Sequence, residues 1–158
     1  MSVGRCPTTH IRKIVSGGQT GIDRAALDAA LERGMDVGGW CPRGRRAQDG
    51  TIPSRYPLIE TESSDFAQRT EWNVRDSDGT LVLARGPITG GTRRTVDFAR
   101  TQNRPLFIAE LSRPRSRNDV AFWLTKHKIH VLNVAGPRED ESPGCYDSAM
   151  VFLRLLLN

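Results

Sequence analysis

The sequence predicts a single α/β domain in which a mostly parallel sheet lies between two layers of helices. Short apolar runs rich in β-branched residues alternate with segments of helical periodicity, and three glycine-bearing turns follow such runs. Strands that alternate with helices form parallel sheets, because a crossover helix returns the chain to the same edge. The 158 residues have the usual length of one domain, and no repeat, linker or low-complexity tract divides residues 1–158.

Six segments are predicted as strands, each an apolar run beside a turn signal. Leu81, Val82 and Leu83 are continuous apolar residues, which is typical of a central strand that is buried on both faces. The predicted strands are residues 13–16, 36–40, 56–60, 80–84, 105–111 and 129–135.

Five segments are predicted as helices. Gly34 ends the first, and Ser64 or Asp65 caps the second. Ser142 followed by Pro143 is predicted to begin the last helix, whose end is apolar all round, as in a helix that is buried or lies at a subunit interface. The predicted helices are residues 22–33, 65–75, 92–102, 118–127 and a last one from residue 142. Together the elements predict a Rossmann-like three-layer sandwich.

The net charge of +5 comes mainly from arginine, since the chain has lysine only at positions 13, 126 and 128. The planar guanidinium suits phosphate and other oxyanions, although arginines on a solvated surface are an equally good explanation for most of these residues. A basic chain also suits nucleic acid. The arginines are scattered and aromatic residues are few, so nucleic acid is the less favoured partner.

Cysteine and histidine give no metal or disulfide signature. Cys6, Cys41 and Cys145 are odd in number and far apart, which argues against a disulfide framework and a structural zinc site and favours a reduced cytoplasm. The histidines, at positions 10, 127 and 130, lack ligand spacing. Residues 1–10 are predicted to be a loose extension without a signal peptide, and no apolar run approaches the ~20 residues that span a bilayer.

The first glycine-bearing turn, residues 16–21, joins a predicted strand to a predicted helix. Glycine allows a close backbone approach, and the free N–H groups of a helix start attract anions. The turn lacks the ending of a phosphate-binding P-loop, so ATP hydrolysis on that plan is not expected. A plain tight turn is the alternative, because Thr20 and Asp23 have the spacing of a capping box. Its candidate binding residues are Gly17, Gly18, Gln19, Thr20 and Gly21.

The second turn, residues 86–92, follows the central strand and carries two arginines into the next helix. A cation at a helix N-terminus opposes the helix dipole unless an anion joins them, so Arg93, and to a lesser degree Arg94, favours an oxyanion there. The alternative is that both point to water. The candidate binding residues are Thr89, Gly90, Gly91, Thr92 and Arg93.

The third turn, residues 135–139, contributes Arg138 as a candidate after the last strand. Taken alone, this turn is weak evidence for a binding site, because charged loops are common. In an open parallel sheet, ligands bind outside the carboxyl ends of the strands, where the strand order reverses. All three turns are predicted to lie at that edge, which indicates a ligand cleft.

Five segments resemble the molybdenum cofactor carrier family, and the resemblance runs from about residue 14 to residue 157. They are residues 16–26 (SGGQTGIDRAA), 39–46 (GWCPRGRR), 49–50 (DG), 69–78 (RTEWNVRDSD) and 90–92 (GGT). The segment at 69–78 is the most specific of them. The family is Rossmann-like and belongs with lysine-decarboxylase-like proteins, phosphoribohydrolases and DNA-uptake processing proteins.

The resemblance implies that the ligand is molybdenum cofactor, a phosphorylated pterin with a dithiolene-held oxo-molybdenum. It also implies a homo-oligomer, a dimer or tetramer, that hands its cargo to a molybdoenzyme. Phosphate would sit on the first or second turn, and arginine would meet the oxo groups. Trp40 or Trp72 would stack on the pterin or else be a core or interface residue, and Cys41 would offer sulfur or else be buried and inert. The candidate binding residues that the matching segments add are Arg45, Arg69 and Asn73.

A nucleotide-processing enzyme, such as a phosphoribohydrolase, is the main alternative. Cleavage of an N-glycosidic bond needs a carboxylate. The resemblance to the wider group implies that its hydrolases carry this carboxylate on a glutamate soon after their Gly-Gly-x-Gly-Thr turn. Here Arg93, Arg94 and Thr95 follow instead, and the nearest carboxylate is Asp97. Three other carboxylates, those of Asp23, Asp76 and Asp78, remain candidates for the catalytic group. The interpretation from the sequence is a non-catalytic binding protein.

Overall fold

The computed structural model describes residues 10–113 and 115–158, so the predicted N-terminal extension and Cys6 lie outside the described residues, apart from His10. In chain order the strands are β1 (Lys13–Val15), β2 (Asp36–Gly38), β3 (Trp40–Cys41), β4 (Arg46–Ala47), β5 (Gly50–Thr51), β6 (Ile59–Glu60), β7 (Gly79–Ala84), β8 (Leu106–Glu110) and β9 (Val131–Ala135). The helices are α1 (Ile22–Glu32), α2 (Phe66–Arg75), α3 (Gly90–Thr101), α4 (Ser116–Lys126) and α5 (Cys145–Leu156).

Five strands form a parallel central sheet in the order β2–β1–β9–β7–β8. Helices flank the sheet, so the predicted Rossmann-like three-layer fold is confirmed. The last strand of the chain, β9, lies between β1 and β7. Helix α1 therefore leads from β1 towards one edge of the sheet, whereas α3 leads from β7 towards the other, and the carboxyl ends of these strands border a crevice.

The main core lies between the sheet and the helices. Leu81 and Leu83 of β7 are fully buried, as expected for the central strand. Ala26 and Ala30 of α1 are also fully buried, and α1 packs against α5 through this face of small residues. Small side chains let the two helices approach closely without leaving a gap.

The predicted strand 36–40 divides into β2 and β3, because the chain bends at Gly39. Its φ of +128° is in the region that favours glycine, and a Cβ there would overlap the carbonyl oxygen of Ser16. The predicted strand 56–60 is shortened to β6, which pairs with β3. Residues 42–58 form a small lobe around a second apolar cluster that includes Ile52 and Leu58.

The prediction that Ser142 and Pro143 begin the last helix is wrong. Helix α5 begins at Cys145, after Gly144 at φ +87°. The carboxylate of Glu139 caps it, accepting hydrogen bonds from the N–H groups of Gly144 (2.6 Å) and Tyr146 (3.0 Å). An anion at this end complements the helix dipole, and local sequence signals do not reveal a cap that reaches across six residues.

Helices α3 and α4 each begin two residues before their predicted starts, at Gly90 and Ser116. Helix α2 is capped by Asp65, whose carboxylate accepts from the N–H of Ala67 (3.0 Å). Val151 and Leu155 on α5 are 60% and 52% exposed, so a subunit interface on this helix stays a prediction.

We expect the Glu139→Ala variant to lose about 1 kcal/mol of the free energy of unfolding at pH 7, a typical cost for a lost cap. Burial alone would raise the pKa of Glu139, but hydrogen bonds from Tyr146 and Gly144 hold it below the ordinary 4.5. The difference from wild type should thus be complete above pH 4.5 and shrink as the pH falls through the lower folded-state value. Urea unfolding at several pH values measures it. Asp140→Ala is the control, and an equal loss there would contradict the capping role.

Candidate anion-binding cleft

A cleft of about 370 Å³ opens at the carboxyl ends of β1, β7 and β9. This volume lies within the range of small-molecule sites. The structure brings residues from all three glycine-bearing turns to this cleft, together with one side of α2. Its lining is Gly17, Gln19, Asp23, Phe66, Arg69, Thr70, Asn73, Gly90, Gly91, Thr92, Arg94, Thr95, Asn133, Val134, Ala135, Gly136, Arg138 and Glu141.

The start of α3 presents unused hydrogen-bond donors to the cleft. Thr89, at the N-cap, makes no side-chain cap, and the N–H groups of Gly90, Gly91 and Thr92 have no acceptor among residues 10–113 and 115–158. Helix starts carry a partial positive charge. The cleft therefore has a set of oriented donors that an anion would satisfy.

The start of α1 differs, because the protein uses several of its donors internally. The N–H of Gln19 donates to the carboxylate of Asp23 (3.2 Å), and the N–H of Thr20 donates to the side chain of Gln19 (3.0 Å). In the first turn of the helix, the N–H of Ile22 donates to the carbonyl of Pro137 (3.3 Å) and that of Arg24 to the carbonyl of Gln19 (3.2 Å). Helix α3 therefore offers three consecutive N–H groups in its first turn without an acceptor among the described residues, whereas α1 does not.

Arg94, and not Arg93, lies at the cleft. Arg93 points away and pairs with Asp97 (3.2 Å), four residues along the exposed side of α3. Arg94 lines the cleft and has no ion-pair partner within the described part of the chain. Arg93 was the stronger candidate from the sequence, but neighbouring helical residues point about 100° apart, so the helix directs Arg94 and not Arg93 to the cleft.

Arg69 and Asp23 form a buried ion pair in the wall of the cleft. Their side chains are 12% and 7% exposed, and Arg69 Nη1 donates to Asp23 Oδ2 at 3.2 Å. Burial raises the pKa of Asp23, and the positive charge of Arg69 offsets part of that rise. A Cβ on Gly17 would overlap the guanidinium, so glycine is required for Arg69 to lie here. Arg69 Nε is buried and has no hydrogen-bond partner within the described residues.

Two side chains that the sequence analysis missed give the cleft an aromatic wall and a polar floor. The ring of Phe66 lies 5.4 Å from the guanidinium of Arg69. Asn133 on β9 is 3% exposed and donates to the hydroxyl of Thr80 (3.2 Å). A single amide inside the apolar run 131–135 was the available signal for Asn133. Thr70, Thr95 and Glu141 were missed as well, and they carry no comparable sequence signal.

Asn73 lines the cleft, but both ends of its amide hold the backbone of Trp40. Its Oδ1 accepts from the N–H of Trp40 (2.7 Å), and its Nδ2 donates to the Trp40 carbonyl (3.0 Å). Trp40 and Trp72 contact each other, with ring centroids 4.8 Å apart, and neither lines the cleft. Cys41 is fully buried, and burial raises its thiol pKa.

Six further candidates lie outside the cleft: Gly18, Thr20, Gly21, Thr89, Arg93 and Arg45. Arg45 instead donates to carbonyls of the 42–58 lobe, among them those of Pro53 (2.8 Å) and Tyr56 (3.0 Å). A Cβ on Gly18 would lie 2.6 Å from Leu58 Cδ1, so this glycine packs against the same lobe. Gly18 and Arg45 thus have structural roles in this lobe.

A comparison with known protein families shows which family the chain belongs to. The sequence model of the circularly permutated YpsA SLOG family matches residues 14–157. The chain belongs to this family. None of the curated proteins matches it. Among solved structures, this SLOG protein is similar to a protein from Syntrophus aciditrophicus that bears the name "Putative molybdenum carrier protein". The two share 42% sequence identity and a TM-score of 0.93, over 95% of this chain and 97% of the other. The resemblance to the molybdenum carrier family is confirmed.

Within residues 10–113 and 115–158, no group of three or more His, Cys, Asp or Glu side chains is placed to hold a metal ion. None of the helices in these ranges is both long and apolar enough to cross a membrane. The hydrogen-bond donors that line the cleft are backbone N–H, amide, guanidinium and hydroxyl groups, which suit an oxyanion.

Proposed function

We propose that this SLOG protein binds molybdenum cofactor, or a related phosphorylated heterocycle, in the cleft and carries it to a molybdoenzyme without chemical change. The observation that carries the proposal is the start of α3, where the N–H groups of Gly90, Gly91 and Thr92 lie beside Arg94 and have no acceptor among the residues that the structure describes. The name of the similar Syntrophus protein supports molybdenum as part of the cargo.

The phosphate of the ligand would sit at the start of α3. Hydrogen bonds from N–H groups to a charged oxygen are worth about 1.5–3 kcal/mol each, roughly twice as much as neutral ones. Arg94 adds a cation whose charge opposes the helix dipole in the absence of an anion. An anion would relieve this repulsion, whereas at the start of α1 the N–H groups of Ile22 and Arg24 already donate to carbonyl oxygens.

The heterocycle would lie towards α2. Phe66 contributes an apolar aromatic ring to this side of the cleft, and Asn133 provides an amide on the floor for a polar ring edge. The orphaned Arg69 Nε gives one further donor, which fits an oxygen-rich ligand. Metal-bound oxo groups are such acceptors, so the residues present fit the proposed cargo.

The arrangement favours binding over hydrolysis. Asp23 is the buried carboxylate of the cleft, and its Oδ2 already accepts from Arg69 and Gln19. The carboxylate is thus engaged in the wall of the cleft, and activation of a water by Oδ2 would require one of these contacts to break. Arg93, Arg94 and Thr95 follow the Gly-Gly-Thr turn, so none of these three positions carries a carboxylate. The hydroxyl of Thr95 donates to the carbonyl of Gly91 (3.1 Å).

Anaerobic calorimetric titration with isolated molybdenum cofactor tests the proposal, with nucleoside monophosphates as competing ligands. We expect saturable cofactor binding and, for Arg94→Gln, a loss of about 10-fold in affinity, since one charge-assisted contact disappears. Arg93→Gln is the matched control, because it removes the same charge one residue away from the cleft. It should change affinity by less than about 2-fold.

Chromatography of each mixture separates binding from cleavage. Recovery of intact ligand is the expected result. Release of free base from a nucleotide, without cofactor binding, would identify the protein as an N-glycosidic hydrolase and refute the carrier proposal. Equal losses in the two arginine variants would place the phosphate away from Arg94.

A further inference from the structure

Glu141 is an acidic side chain at the edge of a cleft that otherwise attracts anions. It lines the cleft and also a smaller adjoining cavity that includes Arg85 and Thr89, so it forms part of the wall between the two. Its Oε2 lies 3.7 Å from the point that a Cβ on Gly90 would occupy, which is the start of α3.

The third turn holds Glu141 in this position. Its Oε1 accepts from the backbone N–H of Arg138 (3.1 Å) and lies 3.4 Å from Arg138 Nε. The backbone N–H of Glu141 donates in turn to the Arg138 carbonyl (3.1 Å). The carboxylate is therefore held in place by its own loop, beside Arg138, which pairs more closely with Asp140 (3.0 Å).

The placement affects an anion at the start of α3. Like charges at short range repel, so the carboxylate weakens the attraction of the site for phosphate. Arg138 also pairs with Asp140 (3.0 Å), which does not line the cleft, so the effect specific to Glu141 is its negative charge beside α3. This charge lowers affinity without contact between Glu141 and the ligand.

We propose that Glu141 is a built-in electrostatic competitor that sets the affinity of the cleft for its anionic cargo and so permits release. The inference rests on the proposed function and adds its regulation. A carrier gains from such a group, because affinity differences between related complexes appear mainly in the dissociation rate. Neutralising the group should slow release as it tightens binding.

Glu141→Gln keeps the size of the side chain and removes its charge. We expect this variant to bind isolated molybdenum cofactor about 10-fold more tightly than wild type, and inorganic phosphate more tightly too, with a slower dissociation rate for the cofactor. Titration calorimetry and stopped-flow displacement measure the two effects.

Asp140→Asn is the matched control. Asp140 also pairs with Arg138 (3.0 Å), carries the same charge and is the preceding residue, but it does not line the cleft. It should alter affinity by less than about 2-fold. Unchanged or weaker cofactor binding by Glu141→Gln, or an equal gain in Asp140→Asn, would overturn the inference and leave the proposed function intact. Absence of cofactor binding in wild type and variant alike would overturn both.

Discussion

Replacing Arg69 with methionine should lower the free energy of unfolding by about 3–5 kcal/mol, the usual cost of leaving one partner of a buried ion pair alone. Asp23 would keep its buried position without a cation, and methionine would retain much of the side-chain packing against Phe66. Urea unfolding of the variant and wild type at pH 7 gives the difference directly.

The pH dependence distinguishes this cause from a simple loss of packing. Burial already raises the pKa of Asp23 in the folded protein, and the loss of Arg69 removes the charge that opposes the rise. A carboxyl group whose folded-state pKa lies above its unfolded value stabilises the fold at low pH, and this stability is lost as the pH rises through the folded-state pKa. The deficit of Arg69→Met should therefore shrink towards low pH.

The double variant Asp23→Asn, Arg69→Met is the control. It removes both charges, so it should be more stable at pH 7 than Arg69→Met alone. A deficit under about 1 kcal/mol in the single variant, with no pH dependence, would show that the pair is not buried as described.

Replacing Gly91 with leucine should reduce cofactor affinity by about 100-fold or more. A Cβ on Gly91 meets no atom within 4 Å, and its backbone is helical, so the fold accepts a side chain there. Leucine would extend into the cleft over the free N–H groups of α3. Loss of two charge-assisted hydrogen bonds, at about 1.5–3 kcal/mol each, corresponds to that change in affinity.

Gly91→Ala separates the filled cleft from the altered helix. Alanine should stabilise the fold by about 0.5–1 kcal/mol, because glycine is the poorer helix former, while leaving room for the ligand. Thermal unfolding and calorimetry measure the two properties on the same samples. If Gly91→Leu is folded and binds as tightly as wild type, the ligand does not use the start of α3.

The sequence was sufficient to predict that the three turns meet, because parallel strands joined by crossover helices place their carboxyl ends at one edge. Gly90, Gly91 and Arg69, which stand out in short motifs of the sequence, all line the cleft. The sequence could not fix the place of β9 between β1 and β7, which depends on packing of the whole sheet.

Two of the candidates that lie outside the cleft owe their positions to features that the sequence motifs do not contain. Arg45 reads as a free cation in a polar loop, yet its partners are carbonyl oxygens up to 13 residues away. Whether Arg93 or Arg94 lies at the cleft depends on the rotation of α3 about its own axis. That rotation depends on which residue begins the helix. Motif spacing alone contains neither kind of information.

A crystal structure of the protein grown with isolated molybdenum cofactor tests the central claim most directly. The account predicts a phosphate within hydrogen-bond distance of the N–H groups of Gly90 to Thr92 and of Arg94, with the pterin towards Phe66. A phosphate bound at the first turn, or elsewhere on the surface with the cleft at α3 empty at saturating cofactor, would contradict it.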